Sequence, residues 1–380
     1  MDATADDHKV RLRVDGMDYG GWTGIQIGAG IERQARDFRL SICWNWPGQD
    51  QPLPIKQGAK AEVLIGADQV LTGWVFATPI QYSAGQITRG VSGRSLTADM
   101  VDCAAANKPG QWRKQSVQQI VQALAQPFGL QVVSEVPETR ALVDHSIEPG
   151  ETAFACIDRL LTISRLLSTD DAQGRIVIAK QGSAGKAADD LKVGVNVLEG
   201  SAPLDFSQIM SEYKVVGQQG GTDQQFGAAS NEVAATVTDG RMGRYRPMLQ
   251  QQQGQLSAQQ AQERANWERG SRMGKALAST YKVQGWRQST GALWVPNQTV
   301  RVIDPIIGFD RDMLIVEVEY SLDASGTVAT LSVAPPEAVM PEPPDPEKAK
   351  KTGASSGKKK KSGKADNFEY LLPADWEKKK

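Results

Sequence analysis

Chemically reactive side chains are scarce in this sequence. Its 380 residues include only two histidines, His8 and His145, which excludes a multi-histidine metal site and leaves little for a histidine-based triad. The three cysteines, Cys43, Cys103 and Cys156, are far apart, so neither a CxxC redox motif nor a zinc knuckle is present. This scarcity favours a protein that assembles over one that catalyses.

Long apolar runs are also missing. No stretch approaches the roughly 18 apolar residues of a membrane span, and the acidic N-terminus lacks the features of a signal peptide. The net charge of −1 divides into +4 on residues 341–380, where 11 lysines oppose seven acidic residues, and −5 on the remainder. An acidic body argues against binding of a phosphate backbone. We expect a soluble protein made in the cytoplasm with free thiols.

One β pattern occurs twice, more than two hundred residues apart. Residues 60–91 and 298–333 each read strand, strand, glycine-containing turn, strand, with apolar residues at every second position. The matched spacing of strands and turns predicts which residues occupy the same place in the two segments, to within a residue or two. Ile65 is predicted to correspond to Ile303, and Tyr82 to Tyr320. A chain that repeats one module and oligomerises presents twice as many similar surfaces as it has subunits, as a symmetry adaptor does.

The apolar period changes to that of a helix between the two modules. Ser116 is the predicted N-cap of a helix that ends at Pro127, and a second helix follows Thr152 and carries Leu167 on its apolar stripe. These elements, with a strand near residue 177, predict a compact α+β insert.

Other segments have weaker patterns. Residues 217–262 are rich in Gln and Gly and predict a long irregular loop, followed by a helix from about Ala261 to Tyr281. Gly28 and Gly30 are interpreted as part of a loop. The tryptophans of the β modules are predicted to pack in the core: Trp74, Trp286 and Trp294.

Three polar features allow a structural and a functional interpretation. We interpret His145 as a surface or strand-edge histidine rather than a base, and Asp170 with Asp171 as a turn rather than a carboxylate dyad. Basic residues near position 270 form a helix face that is either salt-bridged or a wall toward a partner. No pattern singles out a catalytic, cofactor-binding or metal-binding residue, so we predict a non-enzymatic protein without a cofactor.

The C-terminal segment reads as a tether. Prolines after Pro341 lead into a Lys/Gly/Ser stretch, and the end of the chain is apolar again. The predicted partner-binding residues are Phe368, Tyr370, Leu371, Leu372 and Trp376. The alternative is a solvated tail that binds nothing.

Several stretches, in their order and spacing, resemble the baseplate hub proteins of contractile-tailed phages, most closely those of the phage Mu type. They are Leu71-Thr-Gly-Trp-Val75, the run from Gly93 to Asp102, the helix that starts at Val117, and Gly285-Trp286 to Asn297. The resemblance covers residues 8–337, about nine tenths of the chain. Related domains form the base of type VI secretion spikes.

The resemblance implies an α+β, mostly β fold in which two similar β-barrel-like tube modules and an inserted α+β domain form a homotrimeric, pseudo-sixfold ring. Such a hub joins the sixfold tail tube to the threefold central spike and contacts other baseplate proteins. It encloses a channel for the tape measure protein and DNA, which pass without sequence-specific binding. The implied location is the virion tail baseplate, after synthesis in the bacterial host cytoplasm.

Two alternatives of other classes are a phage-associated peptidoglycan hydrolase, which needs two carboxylates flanking a sugar cleft, and a glycan-binding tail protein. The predicted domains are a first β tube module (1–102), the α+β insert (103–190), strands, a Gln/Gly-rich loop and a helix (191–282), a second β tube module (283–337) and a flexible tail (338–380).

Overall fold

A computed structural model describes residues 9–44, 55–84, 87–137, 142–218, 232–323 and 326–343. Within these ranges the chain is mostly β, with four α-helices. The strands are β1 (Val10–Val14), β2 (Met17–Tyr19), β3 (Gly24–Gly30), β4 (Asp37–Trp44), β5 (Lys60–Ile65), β6 (Asp68–Ala77), β7 (Ile80–Tyr82), β8 (Ile87–Ser95), β9 (Gln111–Gln115), β10 (Val132–Ser134), β11 (Leu142–Ser146), β12 (Leu167–Asp170), β13 (Ile176–Ala179), β14 (Leu191–Lys192), β15 (Val197–Ser201), β16 (Glu212–Gln218), β17 (Glu232–Thr238), β18 (Pro247–Gln255), β19 (Ser279–Gln284), β20 (Thr299–Asp304), β21 (Phe309–Asp323) and β22 (Gly326–Ala334). The helices are α1 (Ala98–Asp102), α2 (Val117–Ala125), α3 (Ala153–Ile163) and α4 (Ala258–Ala276).

One large sheet connects the beginning and the end of the chain. Its strands follow the order β15-β19-β22-β21-β3-β4-β8-β6-β5-β1-β2, with β20 beside β21, β14 beside β20 and β7 beside β8. Alternate residues are buried along these strands, as the period of two predicts, and they form the largest apolar core. Burial of apolar surface on this face stabilises the sheet by roughly 25 cal/mol per Å².

The two predicted β modules share one strand order. In the first meander, which comprises β5 to β8, β6 pairs with β5 and β8; in the second, which comprises β20 to β22, β21 pairs with β20 and β22. All these pairs are antiparallel. Each meander has a β-bulge, between Val75 and Ala77 in the first and between Ile315 and Glu317 in the second, so a shift of 240 residues relates them.

This shift refines the predicted equivalences. The shift makes Ile65 equivalent to Pro305, two residues from the predicted Ile303; by its place at the end of the first hairpin, Ile65 corresponds to Asp304, one residue away. Tyr82 corresponds to Leu322, two residues from the predicted Tyr320. Both predictions hold within the stated margin, and the repeat itself is confirmed.

The insert has its own apolar core, formed by α2, α3 and the strands beside them. As predicted, Ser116 caps α2: its hydroxyl accepts a hydrogen bond from the Gln119 N–H at 3.3 Å, and the Gln119 side chain accepts one from the Ser116 N–H at 3.0 Å. Thr152 caps α3. Leu167 was wrongly predicted on this helix; it lies in β12, because Arg165 adopts a φ of 56° and ends the helical path.

A separate three-stranded sheet, in the order β17-β16-β18, packs against α4. The prediction of an irregular loop was therefore wrong for residues 232–238 and 247–255. β18 escaped notice because glutamines, including the half-buried Gln250 and Gln252, stand where apolar residues would mark a strand. The predicted helix also ends early, at Ala276, and Tyr281 lies in β19.

Gly28 and Gly30 belong to β3 and not to a loop. A Cβ atom on Gly28 would lie 2.7 Å from Asp37 Oδ1, and one on Gly30 would lie 3.2 Å from the Val316 carbonyl oxygen. Close approach of neighbouring atoms explains these glycines, as it often does inside strands.

The last described segment crosses α4 as a strap, which we define as residues 336–343. Its backbone approaches closely at Gly274, where a Cβ atom would lie 2.5 Å from the Ala338 nitrogen. Trp267 Nε1 donates a hydrogen bond to the Met340 carbonyl at 2.9 Å, and Arg264 pairs with Glu342. The strap thus joins the second meander to the helix that precedes it.

Candidate interaction surfaces

His145 is buried, with 2% of its surface exposed, so the predicted surface position is wrong. The alternative of a strand-edge position fits better, because His145 lies on β11, which pairs only with β9 among the described strands. Its ring stacks on Trp112, and Nε2 lies 3.3 Å from Cys156 Sγ. Burial, and then the charge of Arg159, lowers the pKa of His145 to about 4; burial raises the pKa of the Cys156 thiol to about 12. A neutral imidazole beside a protonated thiol is a packing contact, because the thiolate is the nucleophile.

Asp170 joins the insert to two residues that flank the first meander in the fold: Arg36, just before β4, and Thr97, just after β8. Its carboxylate accepts hydrogen bonds from the Arg36 backbone N–H at 3.1 Å, from Arg36 Nε at 3.2 Å and from the Thr97 hydroxyl at 3.3 Å. Burial raises the pKa of Asp170, and the Arg36 guanidinium opposes that shift. Asp171 makes the predicted turn and binds Arg175 at 2.6 Å. The two carboxylates therefore bind different partners and do not form a dyad.

Two of the basic residues of α4 are salt-bridged. Arg264 Nη2 lies 3.1 Å from Glu268 Oε1, and Arg272 Nε lies 3.0 Å from Glu268 Oε2. The Arg264 guanidinium also sits 4.9 Å from the centre of the Trp267 ring. These contacts account for Arg264 and Arg272. Arg269 and Lys275, the other basic residues of this face, have no ion pair among the described residues, so the salt-bridged interpretation holds for half of the face.

Two cavities flank α4. One, of about 270 Å³, we call the strap groove; it is mostly apolar and lies between α4, the insert and the strap. The other measures about 500 Å³ and lies on the side of Arg272 and Lys275. Glu263 in the strap groove pairs with Arg165, and Glu268 in the second cavity pairs with Arg264 and Arg272.

Among the described residues, no cluster of three or more His, Cys, Asp or Glu side chains is arranged to hold a metal ion. No helix in that part of the chain combines the length and the apolar character that crossing a bilayer requires. The predicted partner-binding residues Phe368, Tyr370, Leu371, Leu372 and Trp376 lie outside the described residues.

The first open strand edge belongs to β7. Among the described strands, β7 pairs only with β8, and its other edge has no neighbour. Large apolar side chains are exposed along it: Ile80 is 58% and Tyr82 84% exposed, and Phe76 lies nearby at 45%. An exposed apolar strand edge is a template for pairing with another chain.

The second open edge is that of β15, at the end of the main sheet. β15 pairs with β19, and apart from a bridge at its first residue it has no other strand partner among those described. The segments before, within and after it also expose apolar side chains: Val195, Leu198, Leu204 and Phe206.

One junction between the modules is closed inside the chain. The second half of β21 pairs with β3, so that Tyr320 lies opposite Ile27 and Leu322 opposite Ile25. In contrast to the equivalent Ile80, Tyr320 is only 3% exposed. The same strand edge is therefore covered in the second meander and open in the first.

The face of the main sheet opposite the core is polar, and we call it the polar face. Its charged groups pair with each other: Lys282 Nζ lies 2.6 Å from Glu199, and Arg33 Nη1 lies 2.6 Å from Glu317. Small residues alternate with them, including Ser92, Thr330 and Ser332. Several charges of the polar face are therefore neutralised by neighbours, whereas Arg39 is exposed there without an ion pair among the described residues.

Sequence reasoning assigned partner binding to the tail and missed both open edges. The apolar alternation of residues 80–87 was visible, but a period of two does not tell whether a neighbouring strand covers the edge.

Comparison with known proteins decides the family. Three family models match: "Mu phage baseplate assembly protein GpP-like, N-terminal" over residues 9–95, "Baseplate hub protein gp44-like, second domain" over 97–180, and "Mu phage baseplate assembly protein GpP, fourth domain" over 257–342. The baseplate hub protein gp44 of Escherichia phage Mu is 30% identical over 361 residues, which cover 92% of this chain and 93% of gp44. The chain belongs to the Mu-type baseplate hub family.

The solved structures agree with this family. The 43 kDa tail protein of prophage MuSo2 from Shewanella oneidensis is 34% identical, with a TM-score of 0.79 over 88% of this chain and all of that one. The E. coli c3393 protein, a component of the type VI secretion system, is similar in fold alone, with 12% identity and a TM-score of 0.51 over 85% of this chain and 76% of that one. The predicted resemblance to Mu-type hubs is confirmed.

Proposed function

We propose that this baseplate hub protein assembles into a homotrimeric ring whose six similar modules, two from each chain, adapt the sixfold tail tube to the threefold central spike. A structural role in the tail baseplate follows from the family. The trimer, the two barrel-like tube modules and the symmetry adaptation are the proposed part. We further propose the predicted division into modules, insert and tail.

A single observation carries the proposal: the repeated meander with its unequal edges. Within the chain, one module joins the next through β3 and β21. The described sheet has an open edge at β15, at one end of its strand order, and β7, which branches from β8 beside the main order, has another. A head-to-tail surface of this kind is heterologous, and it closes into a ring when the rotation fits.

The polar face suits the lining of a channel. Several of its charges are neutralised by neighbours, as in the pairs of Lys282 with Glu199 and Arg33 with Glu317. A polyanion gains affinity by replacing its counterions with Lys and Arg, so a surface with paired charges holds DNA weakly. We propose that the tape measure protein and DNA pass along this face without sequence-specific binding.

We propose that the tail after the strap tethers a docking peptide, Phe368 to Trp376, to the spike or another baseplate protein. The strap fixes the start of the tail to α4 through Met340 and Glu342. The 24 residues between Pro343 and Phe368 give the peptide a reach of roughly 27 Å, from the end-to-end distance expected for a Gly/Ser-rich linker of this length. Tethering raises the effective concentration of such a peptide.

The test is the mass and symmetry of the purified chain. Mass photometry is expected to give three times the chain mass of 41.1 kDa. Averaged negative-stain images are expected to show a ring with six peripheral lobes. A monomer over the micromolar range, with no ring in images, would overturn the proposal. A cell-wall zymogram and a glycan array are expected to be blank; activity in either would favour the hydrolase or glycan-binding alternative.

A further inference from the structure

We propose that β15 of one chain pairs antiparallel with β7 of the next, in a register set by the junction between β3 and β21. The inference rests on the proposed function for the number of chains in the ring. The register itself rests on the internal repeat. The partner is a second copy of this chain, and the surface is a β-strand edge on each side.

The internal junction supplies the geometry. Ile25, Gln26 and Ile27 of β3 lie opposite Leu322, Ser321 and Tyr320 of β21. The shift of 240 residues that relates the meanders converts these three β21 positions into Tyr82, Gln81 and Ile80. β7 therefore has the position in the first meander that the second half of β21 has in the second.

β15 lies beside the second meander in the position that β3 has beside the first, with one strand between it and the meander in each case. Ile25 pairs with Leu40, which pairs with Val91 of β8. Gly200 pairs with Tyr281, which pairs with Leu331 of β22. Since Val91 and Leu331 are also 240 residues apart, Gly200 corresponds to Ile25. The proposed register follows: Tyr82 opposite Gly200, Gln81 opposite Ser201, and Ile80 opposite Ala202.

The backbone of β7 is oriented for this pairing. The Gly90 N–H donates to the Pro79 carbonyl at 2.9 Å, so Pro79 and Gln81 direct their backbone groups toward β8. In an antiparallel ladder the bonding direction alternates, so Ile80 and Tyr82 direct theirs toward the open edge. The closed junction alternates in the same way. There the Ile31 N–H donates to the Val316 carbonyl at 2.9 Å, so residues 318, 320 and 322 of β21 direct their backbone groups toward β3.

The side chains match on both faces of the proposed pair. On the core side, Tyr82 lies opposite Gly200, beside which the Tyr281 ring packs so closely that a Cβ atom would lie 3.0 Å from it. Ile80 lies opposite Ala202. On the polar face, Gln81 lies opposite Ser201, as Ser321 lies opposite Gln26 in the closed junction. Pairing also covers apolar side chains that the single chain exposes, including Tyr82 and Leu198.

Disulfide trapping tests the register. Gln81 and Ser201 form a non-hydrogen-bonded pair, for which Cα atoms are about 4.5 Å apart, within the range a disulfide accepts. In a Cys103→Ser background, Gln81→Cys with Ser201→Cys is expected to give oxidised dimers and trimers on a non-reducing gel, all reversed by reductant. An equimolar mixture of the two single variants should give dimers only.

Two controls fix the interpretation. Each single variant alone is expected to remain uncrosslinked. Gln81→Cys with Glu199→Cys, shifted by two residues on the same face, puts Cα atoms about 7–8 Å apart and should crosslink at least fivefold less. A trimer by mass photometry without crosslinking of the Gln81 and Ser201 pair would overturn the register and leave the hub proposal standing. Absence of any oligomer would overturn both.

A charge at the edge gives a second measurement. Ile80→Lys is expected to weaken association at least tenfold. Residue 80 lies on the core side of the proposed strand pair, where pairing would bury the ammonium group. The matched control is Ile306→Lys, since Ile306 is 82% exposed in the turn between β20 and β21. Circular dichroism should show both variants folded. Equal association of the two variants would contradict the proposal.

Discussion

The two meanders share their strand order and one bulge position, although the first has a further bulge between Val63 and Leu64, and they differ at the outer edge. In the second meander β3 covers the second half of β21, and Tyr320 is 3% exposed; in the first, nothing described covers β7, and Ile80 is 58% exposed. The difference shows that exposure here depends on what lies beside a strand and not on the strand's own sequence. One edge stabilises the fold, and the other is available for assembly.

The bulges differ in the same comparison. In the first meander, glycines allow close contact: a Cβ atom on Gly73 would lie 1.9 Å from the Arg94 carbonyl oxygen, and one on Gly93 would lie 2.0 Å from that of Trp74. The equivalent residues of the second meander, Met313 and Val333, are large and buried. The repeat therefore preserves the backbone pairing while its local packing has diverged.

The largest effect is expected where the edge is covered. Tyr320→Ala removes a buried ring and its hydrogen bond to the Trp294 carbonyl, and we expect a loss of about 3–5 kcal/mol in the free energy of unfolding. Ile80→Ala, at the equivalent position, should cost the monomer less than about 0.5 kcal/mol. Urea titration at a concentration below association measures both. Similar losses would show that the two edges are equally buried.

The next effect concerns the anchor that only the first meander carries. Asp170→Ala leaves Arg36 without its buried carboxylate partner, and breaking a buried pair costs about 3–5 kcal/mol. We expect the insert to separate from the meander in limited proteolysis. Asp171→Ala, which removes a more exposed pair with Arg175, is the matched control and should cost about 1 kcal/mol or less. If both variants resist proteolysis like the wild type, Asp170 is not the anchor.

A smaller effect depends on pH and on the insert alone. The folded pKa of His145 is about 4, below its ordinary value of 6.5, so the unfolded chain binds more protons between these values. Stability is complete above pH 6.5 and is lost as the pH falls toward 4, by on the order of 2–3 kcal/mol. His145 faces Trp112, Cys156 and Arg159.

The measurement is thermal unfolding from pH 7 to pH 4, followed by fluorescence of Trp112. The slope of thermal stability against pH should become smaller in His145→Phe, because the contribution of His145 is lost. The contribution of carboxylates elsewhere should remain. An unchanged slope in this variant would assign the pH dependence to other groups.

The smallest effect on stability is expected at the tail. Truncation after Pro343 retains the strap contacts of Met340 and Glu342, so the free energy of unfolding should change by less than about 0.5 kcal/mol. Recovery of a co-expressed spike or baseplate partner should fall nonetheless, as it should for Trp376→Ala combined with Leu371→Ala. Lys364→Ala serves as the control. Unchanged partner recovery in both the truncated and the double variant would identify a solvated tail.

Local patterns alone predicted much of the fold. Ser116 and Thr152 mark helix starts because a side-chain oxygen before an apolar helical stripe satisfies free N–H groups, and both caps are present. The alternation of apolar residues located the two meanders, and their spacing gave the equivalences within two residues. These features depend on neighbours in the chain, which is why they can be read from it.

Tertiary structure decided the rest, because it depends on residues that are distant in sequence. His145 became buried by stacking on Trp112, and Asp170 became an anchor through Arg36, 134 positions away. Gln250 and Gln252 are hydrophilic by type yet form part of a strand. Likewise, Ile80 and Tyr320 lie on equivalent strands, and only the position of β3 decides which of them faces solvent and which is part of the core.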